Sequence, residues 1–129
     1  MATAIVVRRE EAPDTAAVRG VLVDAFKTED EAKLVDDLRA ASAIAVSAVA
    51  LDGDDVVGVA LGSPMSLTGL ADTRVLSLAP VAARSDKQGQ GIGSAVVRSL
   101  MEQAKAAGFA GVVVLGDPKY YSRFGFVQA

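Results

Sequence analysis

Three glycines alternate with other residues in Gln88-Gly89-Gln90-Gly91-Ile92-Gly93, and no other stretch of the chain is as well equipped for chemistry. Residues without a Cβ let the backbone curl tightly and come close to a ligand. Directly after the loop, Ile92, Val96, Val97, Leu100, Met101 and Ala104 recur at helical spacing, which predicts a helix over Ser94 to Ala107. Arg98, Glu102, Gln103 and Lys105 fall on its wet side. An apolar strand candidate, Val75 to Ala83, precedes the glycines. Strand, glycine loop and helix start together form an anion receptor: the loop amides face the guest, and the helix dipole adds about half a positive charge. A phosphate or pyrophosphate is the natural guest; a plain strand-to-helix turn is the alternative.

Two nucleotide-binding patterns fail. A Walker loop needs Lys-Ser or Lys-Thr after its last glycine, where this chain has Ser94-Ala95. A dinucleotide fingerprint wants G-x-G-x-x-G early in a βαβ unit, with an acidic residue about twenty positions later. Here the spacing is G-x-G-x-G, the loop comes late, and the later segment Gly111 to Leu115 is apolar. The string instead resembles the Q/R-x-x-G-x-G/A pyrophosphate loop of the GNAT-type N-acetyltransferases, which hold acetyl-coenzyme A. A second string, Tyr120-Tyr121-Ser122-Arg123-Phe124-Gly125-Phe126, resembles the same family's Y-x-x-x-G-F signature, with Tyr121 as its tyrosine. Two motifs in the family's order, separated by one helix and one strand, are far more specific than either alone. The resemblance is close over Val75 to Phe126 and rests on element order before that.

The resemblance implies direct acetyl transfer from coenzyme A to a primary amine of a small molecule or protein, through a tetrahedral intermediate. Gln88, Gly89, Gln90, Gly91, Ile92, Gly93 and Ser94 would cradle the pyrophosphate. Backbone groups of Val81, Ala82 and Ala83 would meet the pantetheine arm, which in this family inserts like a strand where the sheet splays. Pro80 fits that picture, since proline cannot donate to a ladder; it marks either a bulge or strand end, or a locally unpaired edge. A backbone N–H near Val81 would polarise the thioester carbonyl. Tyr121 would protonate the leaving thiolate, its ordinary pKa of roughly 10 keeping it a donor at neutral pH; Tyr120 reads as a packing residue. No carboxylate in the preceding strand offers a base, and Asp117 reads as an N-cap before Pro118. Arg84 and Lys87 read as exposed loop cations within reach of a phosphate. Phe26, Glu29 and Glu31 are the candidates for acceptor contacts. The chain departs from the family pattern at Ser85, where proline is frequent, and in lacking an Asn at the start of the last helix. A non-catalytic acyl-coenzyme A sensor and an aminoacyl-tRNA-acetylating toxin share these motifs, though the toxin should carry a basic face.

The rest of the chain must position this machinery. With 129 residues, 51% hydrophobic and 22% charged, it reads as a single globular domain without a linker. Only 5% of residues are aromatic, so the core must come from Val, Leu, Ile and Ala. A net charge of −3 and no long basic run argue against a general nucleic-acid or membrane-surface role. The absence of Cys and His removes disulfides, the usual zinc sites and His-based triads, and no acidic loop has a metal-binding pattern. No secretory signal or bilayer-length apolar run is apparent, which predicts a cytoplasmic protein.

Ile5 to Arg9 reads as a strand. Asp14 is placed as the N-cap of a helix with Val18, Val21, Leu22, Ala25 and Phe26 inward. Glu29, Asp30 and Glu31 open a second helix with Leu34, Val35 and Leu38 inward. Ile44 to Leu51 and Val56 to Leu61 form a hairpin around Asp52-Gly53-Asp54-Asp55, followed by a loop over Gly62 to Asp72. Gly111 to Gly116 reads as a strand buried on both faces. The expected fold is mixed α/β and GNAT-like: a mostly antiparallel sheet with helices on both faces, splayed at the acetyl-coenzyme A site. Family members normally continue past G-F into further strands. The edge of the Val112 to Leu115 strand is therefore expected to be covered by a longer chain or by another subunit, as in a homodimer.

Overall fold

The computed structural model describes residues 5–65, 74–115 and 118–127. In chain order come β1 (Ile5–Arg9), α1 (Thr15–Phe26), α2 (Asp30–Ala40), β2 (Val46–Asp52), β3 (Asp55–Met65), β4 (Val75–Ala83), α3 (Ile92–Ala106), β5 (Gly111–Val113) and α4 (Pro118–Tyr121). Short 3-10 turns at Ala12–Asp14, Ser85–Lys87 and Ser122–Phe124 link them. The strands lie in sequence order in one sheet, β1 to β4 antiparallel and β5 parallel to β4. A parallel neighbour needs a crossover, and α3 supplies it. This is the mixed α/β, mostly antiparallel architecture expected.

The sheet divides two apolar layers. On one face α1 and α2 bring Val18, Leu22, Ala32 and Val35 onto Val49, Val59 and Leu61. On the other, α3 brings Ile92, Val96, Val97 and Leu100 onto Ala48, Ala50, Ala60, Leu76 and Leu78. The largest fully buried side chains are all Leu and Val, as the scarcity of aromatics requires. Each contributes about 1.5–3 kcal/mol on burial.

A bulge aims the end of β4. Ala60 pairs with Val81 and Gly62 with Leu78, so Ala79 and Pro80 together face Leu61 alone. One extra residue reverses the alternation of faces. Leu76 and Leu78 face α3, and beyond the bulge so do Val81 and Ala83, while Ala82 turns to the α1 layer. Both readings of Pro80 hold at once. It sits in a bulge on the β3 side, while on the other side β5 accompanies only Val75 to Ser77. From Leu78 to Ala83 that second edge of β4 carries no strand among the described residues.

Several expectations are corrected. β3 continues to Met65, so Gly62, Ser63 and Pro64 belong to a strand, and the remaining loop positions 66–72 lie outside the described residues. β2 begins at Val46, not Ile44. α3 begins at Ile92 because Gly91, at φ 79°, turns the chain into the helix within one residue. Leu34 is 47% exposed; α2 turns Val35 inward as expected, together with Ala32. Phe26, at the end of α1, is also on the surface. Asp14 precedes α1 but does not cap it, because Arg8 on β1 draws its carboxylate back. Arg8 donates to it from Nη1 at 2.7 Å and Nη2 at 3.1 Å, and the Glu11 N–H donates at 2.8 Å. Gln103 is half-buried, its Oε1 without a partner among the described residues. β5 is not buried on both faces: it is the last strand of the sheet, and Val113 and Leu115 are exposed. The expected N-cap Asp117 lies outside the described residues. Among the described residues, no helix is long and apolar enough to cross a membrane.

Candidate functional site

A cleft of about 460 Å³ opens where β4 ends, the glycine loop turns, α3 begins and α4 crosses. Val81, Ala82, Ala83, Gln88, Gly89, Gly91, Ile92, Gly93, Ser94 and Tyr121 all line it. Gln90, expected among them, is exposed and does not.

Strand parity decides which β4 backbone groups face the cleft. The Arg84 N–H donates to the Val57 carbonyl at 2.8 Å. In an antiparallel ladder this makes Ala82 and Val59 the hydrogen-bonded pair and leaves the pairs Ala83–Gly58 and Val81–Ala60 unbonded. The N–H and C=O of Val81 and Ala83 therefore point away from β3, toward the unpaired edge. The Gln88 Nε2 already donates to the Ala83 carbonyl at 3.3 Å, tying the glycine loop to the strand end.

The loop presents amides and open space. Gly89 and Gly91 have φ of 82° and 79°, and a Cβ on either would meet nothing within 4 Å. The helix ladder of α3 starts with the Ala95 N–H donating to the Gly91 carbonyl at 3.0 Å. The amides of Ile92, Gly93 and Ser94 thus have no acceptor inside the helix, and all three residues line the cleft. No Asp or Glu is among the described residues that line the cleft.

The segment before the loop is pinned from two sides. The Ser85 N–H and Oγ donate to Asp24 of α1 at 2.6 and 3.0 Å, which holds the Asp24 carboxyl below the ordinary carboxylate range. Lys87 bridges to Asp52 at the end of β2 at 2.8 Å while still lining the cleft. Arg84 is bound by Asp86 at 2.6 Å and stands outside the lining residues.

Aromatic packing fixes α4. Tyr121 is half-buried against the α3 layer, meeting Tyr120 edge-on at 5.0 Å and Phe126 at 5.8 Å between ring centroids. Burial pushes the Tyr121 phenol above its ordinary pKa, and the neighbouring Tyr120 adds to the shift. It is a protonated donor at neutral pH. Tyr120, expected to pack, also lines the cleft, its hydroxyl 3.1 Å from where a Cβ would stand on Gly93. The Arg123 guanidinium lies 4.6 Å from the centre of the Tyr120 ring and also lines the cleft. Sequence reasoning missed Tyr120 and Arg123. The available signal was their separation of three residues, which puts them on one face of a helical turn.

The acceptor candidates are not brought to this cleft. Glu29 lies 3.8 Å from the Arg19 guanidinium, Glu31 accepts from Thr28 Oγ1 at 3.3 Å, and neither they nor Phe26 line it. Among the described residues no cluster of acidic side chains is arranged to hold a metal ion.

The profile of the acetyltransferase (GNAT) family matches residues 7–126. The uncharacterized N-acetyltransferase YhbS of Escherichia coli is 35% identical over 126 residues, covering 97% of this chain and 75% of the relative. A crystal structure of a GNAT family acetyltransferase from Brucella melitensis in complex with acetyl-CoA superposes with a TM-score of 0.91 at 36% identity, covering 98% of this chain and 84% of that one. The crystal structure of YhbS in complex with CoA gives a TM-score of 0.91 at 34% identity, over 98% of this chain and 71% of that one. With the family profile matched over nearly its whole length and two relatives above one-third identity, this chain belongs to the GNAT family of acetyltransferases.

Proposed function

We propose that the protein transfers an acetyl group from acetyl-coenzyme A to a primary amine by direct attack, with the coenzyme seated in the cleft described above. One observation carries this reading: the free first-turn amides of α3, the edge of β4 that no strand covers and the protonated phenol of Tyr121 converge on a single cleft with no carboxylate among the described residues that line it. The residues present fit the coenzyme. Gly89 and Gly91 leave open the space that a Cβ would enter, and amides at a helix start suit a diphosphate. The Brucella relative binds acetyl-CoA and YhbS binds CoA, which supports the same ligand here.

Each residue then has a task. The amides of Ile92, Gly93 and Ser94 hold the diphosphate. The outward backbone groups of Val81 and Ala83 accompany the pantetheine arm as a missing strand would. The bound coenzyme supplies an activated acetyl group. The Val81 N–H donates to the thioester carbonyl oxygen, where negative charge develops during attack. The Tyr121 hydroxyl delivers its proton to the departing sulfur; because its pKa is raised, it does not ionise at neutral pH. With no acid among the described residues that line the cleft, the amine loses its first proton to water or binds already neutral, and the proton it releases as the amide forms returns through water to the Tyr121 oxygen.

The test is a panel of small-molecule and peptide amines incubated with acetyl-coenzyme A, read by thiol release and by mass of the acetylated product. Amine-dependent release supports the reading. Tight coenzyme binding with no turnover on any amine would instead identify a sensor of acyl-coenzyme A.

A further inference from the structure

We propose that Arg123, braced on the ring of Tyr120, and the Tyr120 hydroxyl form the outer wall of the subsite for the coenzyme's diphosphate. The proposal rests on the coenzyme reading of the cleft. Among the described side chains, three cations stand near the glycine loop, and their partners separate them. Arg84 gives Nε and Nη2 to Asp86 at 2.6 and 3.0 Å. Lys87 is bridged to Asp52 at 2.8 Å. Arg123 has no carboxylate partner among the described residues, and it lines the cleft. Among the described side chains, the cation free to meet an anion there is therefore Arg123.

Its posture suits that role. The guanidinium lies over the Tyr120 ring at 4.6 Å, a contact that restrains the side chain while leaving its N–H edge unused. A planar, pre-oriented fork matches phosphate oxygens in pairs, which a flexible ammonium does not. The same tyrosine reaches the other side of the subsite. Its hydroxyl is 3.1 Å from the Cβ position of Gly93, in the first turn of α3, where the unbonded amides of Ile92, Gly93 and Ser94 lie. A phosphate held by those amides meets the Tyr120 hydroxyl and, beyond it, the guanidinium stacked on the same ring. A side chain at position 93 would displace that hydroxyl. Tyr120 and Tyr121 thus divide the labour: one faces the phosphates, the other the sulfur.

The test is calorimetric titration of the full chain at low ionic strength with coenzyme A, dephospho-coenzyme A and pantetheine. The first carries three phosphates, the second lacks the 3′-phosphate, and the third has none. Arg123→Gln is expected to weaken coenzyme A and dephospho-coenzyme A about tenfold each and to change pantetheine by less than about twofold. Tyr120→Phe keeps the ring under Arg123 and should weaken both phosphorylated ligands by roughly threefold. Tyr120→Leu removes hydroxyl and platform together and should weaken both phosphorylated ligands at least as much as Arg123→Gln, with the double variant showing little loss beyond Tyr120→Leu. Arg123→Lys should recover part of the affinity. An equal loss for pantetheine would show general damage to the cleft and overturn the assignment. A loss for coenzyme A but not dephospho-coenzyme A would move Arg123 to the 3′-phosphate and also overturn it. No loss with any ligand would do the same. A wild-type chain that binds none of the three overturns the coenzyme reading itself, a result distinct from these.

Discussion

Gly58 on β3 lies so close beneath Ile92, the first residue of α3, that a β-carbon at position 58 would overlap Ile92 Cγ2. Ala50 Cβ and the Ala82 carbonyl oxygen would be in ordinary contact with the same point, both at 3.4 Å, so the clash is with Ile92. The absent side chain therefore sets how deep the start of α3, and with it the glycine loop, sits against the sheet. Gly58→Ala should destabilise the fold by about 1–3 kcal/mol, as overpacking does, and weaken coenzyme binding as well. Ile92→Ala removes the opposing methyl, so the double variant should be less destabilised than the sum of the two singles. Denaturant melts of all three variants check this; a neutral Gly58→Ala would contradict the placement of α3.

Gly91 asks for glycine through its backbone and not through crowding. It adopts φ 79° with nothing near its Cβ direction, so Gly91→Val meets conformational strain of about 1–2 kcal/mol and projects a branched side chain toward the ligand space. The fold should survive, as judged by circular dichroism, while coenzyme affinity falls below detection by calorimetry. A folded Gly91→Val with retained affinity would remove the loop from the phosphate site.

These two glycines mark how far the sequence could be read. The alternation Gly89, Gly91, Gly93 announced a close-approach loop because backbone conformation and glycine are locally linked. The helical spacing of Val96, Val97 and Leu100 likewise identified the α3 face that is now buried. What depended on distant partners was not legible. Asp14 looked like a helix cap until Arg8, six residues back on β1, took its carboxylate. Leu34 looked inward because it is apolar, but α2 meets the sheet through the smaller Ala32 and Val35. The facing of Val81 and Ala83 followed from a bulge, which exists only in the pairing of β3 with β4. In the cleft, the loop and Tyr121 were visible as motifs. Arg123 and Tyr120 were not, because what distinguishes them is a stack on one side and a missing Cβ on the other.

The Arg8–Asp14 pair predicts a share of the acid sensitivity of the fold. Hydrogen bonds from Arg8 and the Glu11 N–H hold the Asp14 carboxyl below its ordinary pKa, against the opposing effect of burial. A depressed native pKa means the unfolded chain takes up the proton first. The pair's stabilisation is therefore complete above the ordinary value of about 3.9 and fades as pH falls below it. Asp14→Ala should cost about 1–3 kcal/mol near neutral pH, since the Glu11 N–H and Arg8 both lose an acceptor. The gap between wild type and variant should narrow as pH drops below about 4 in thermal melts. A gap independent of pH would mean that the carboxylate charge contributes nothing.

Single-turnover acetyl transfer by Tyr121→Phe, followed from neutral pH to about pH 11, tests the central claim most directly. The substitution removes one hydroxyl from a half-buried ring and leaves its contacts with Tyr120 and Phe126 in place, so the fold should persist. If Tyr121 protonates the leaving sulfur, the chemical step should slow by roughly 10²–10⁴-fold. In the wild type the rate should fall only above about pH 10, because burial raises the phenol's pKa and the acid form is the active one. That alkaline limb should vanish in Tyr121→Phe. An undiminished rate in the variant, with the alkaline limb intact, would reduce Tyr121 to a packing residue and leave the departing sulfur to be protonated by water.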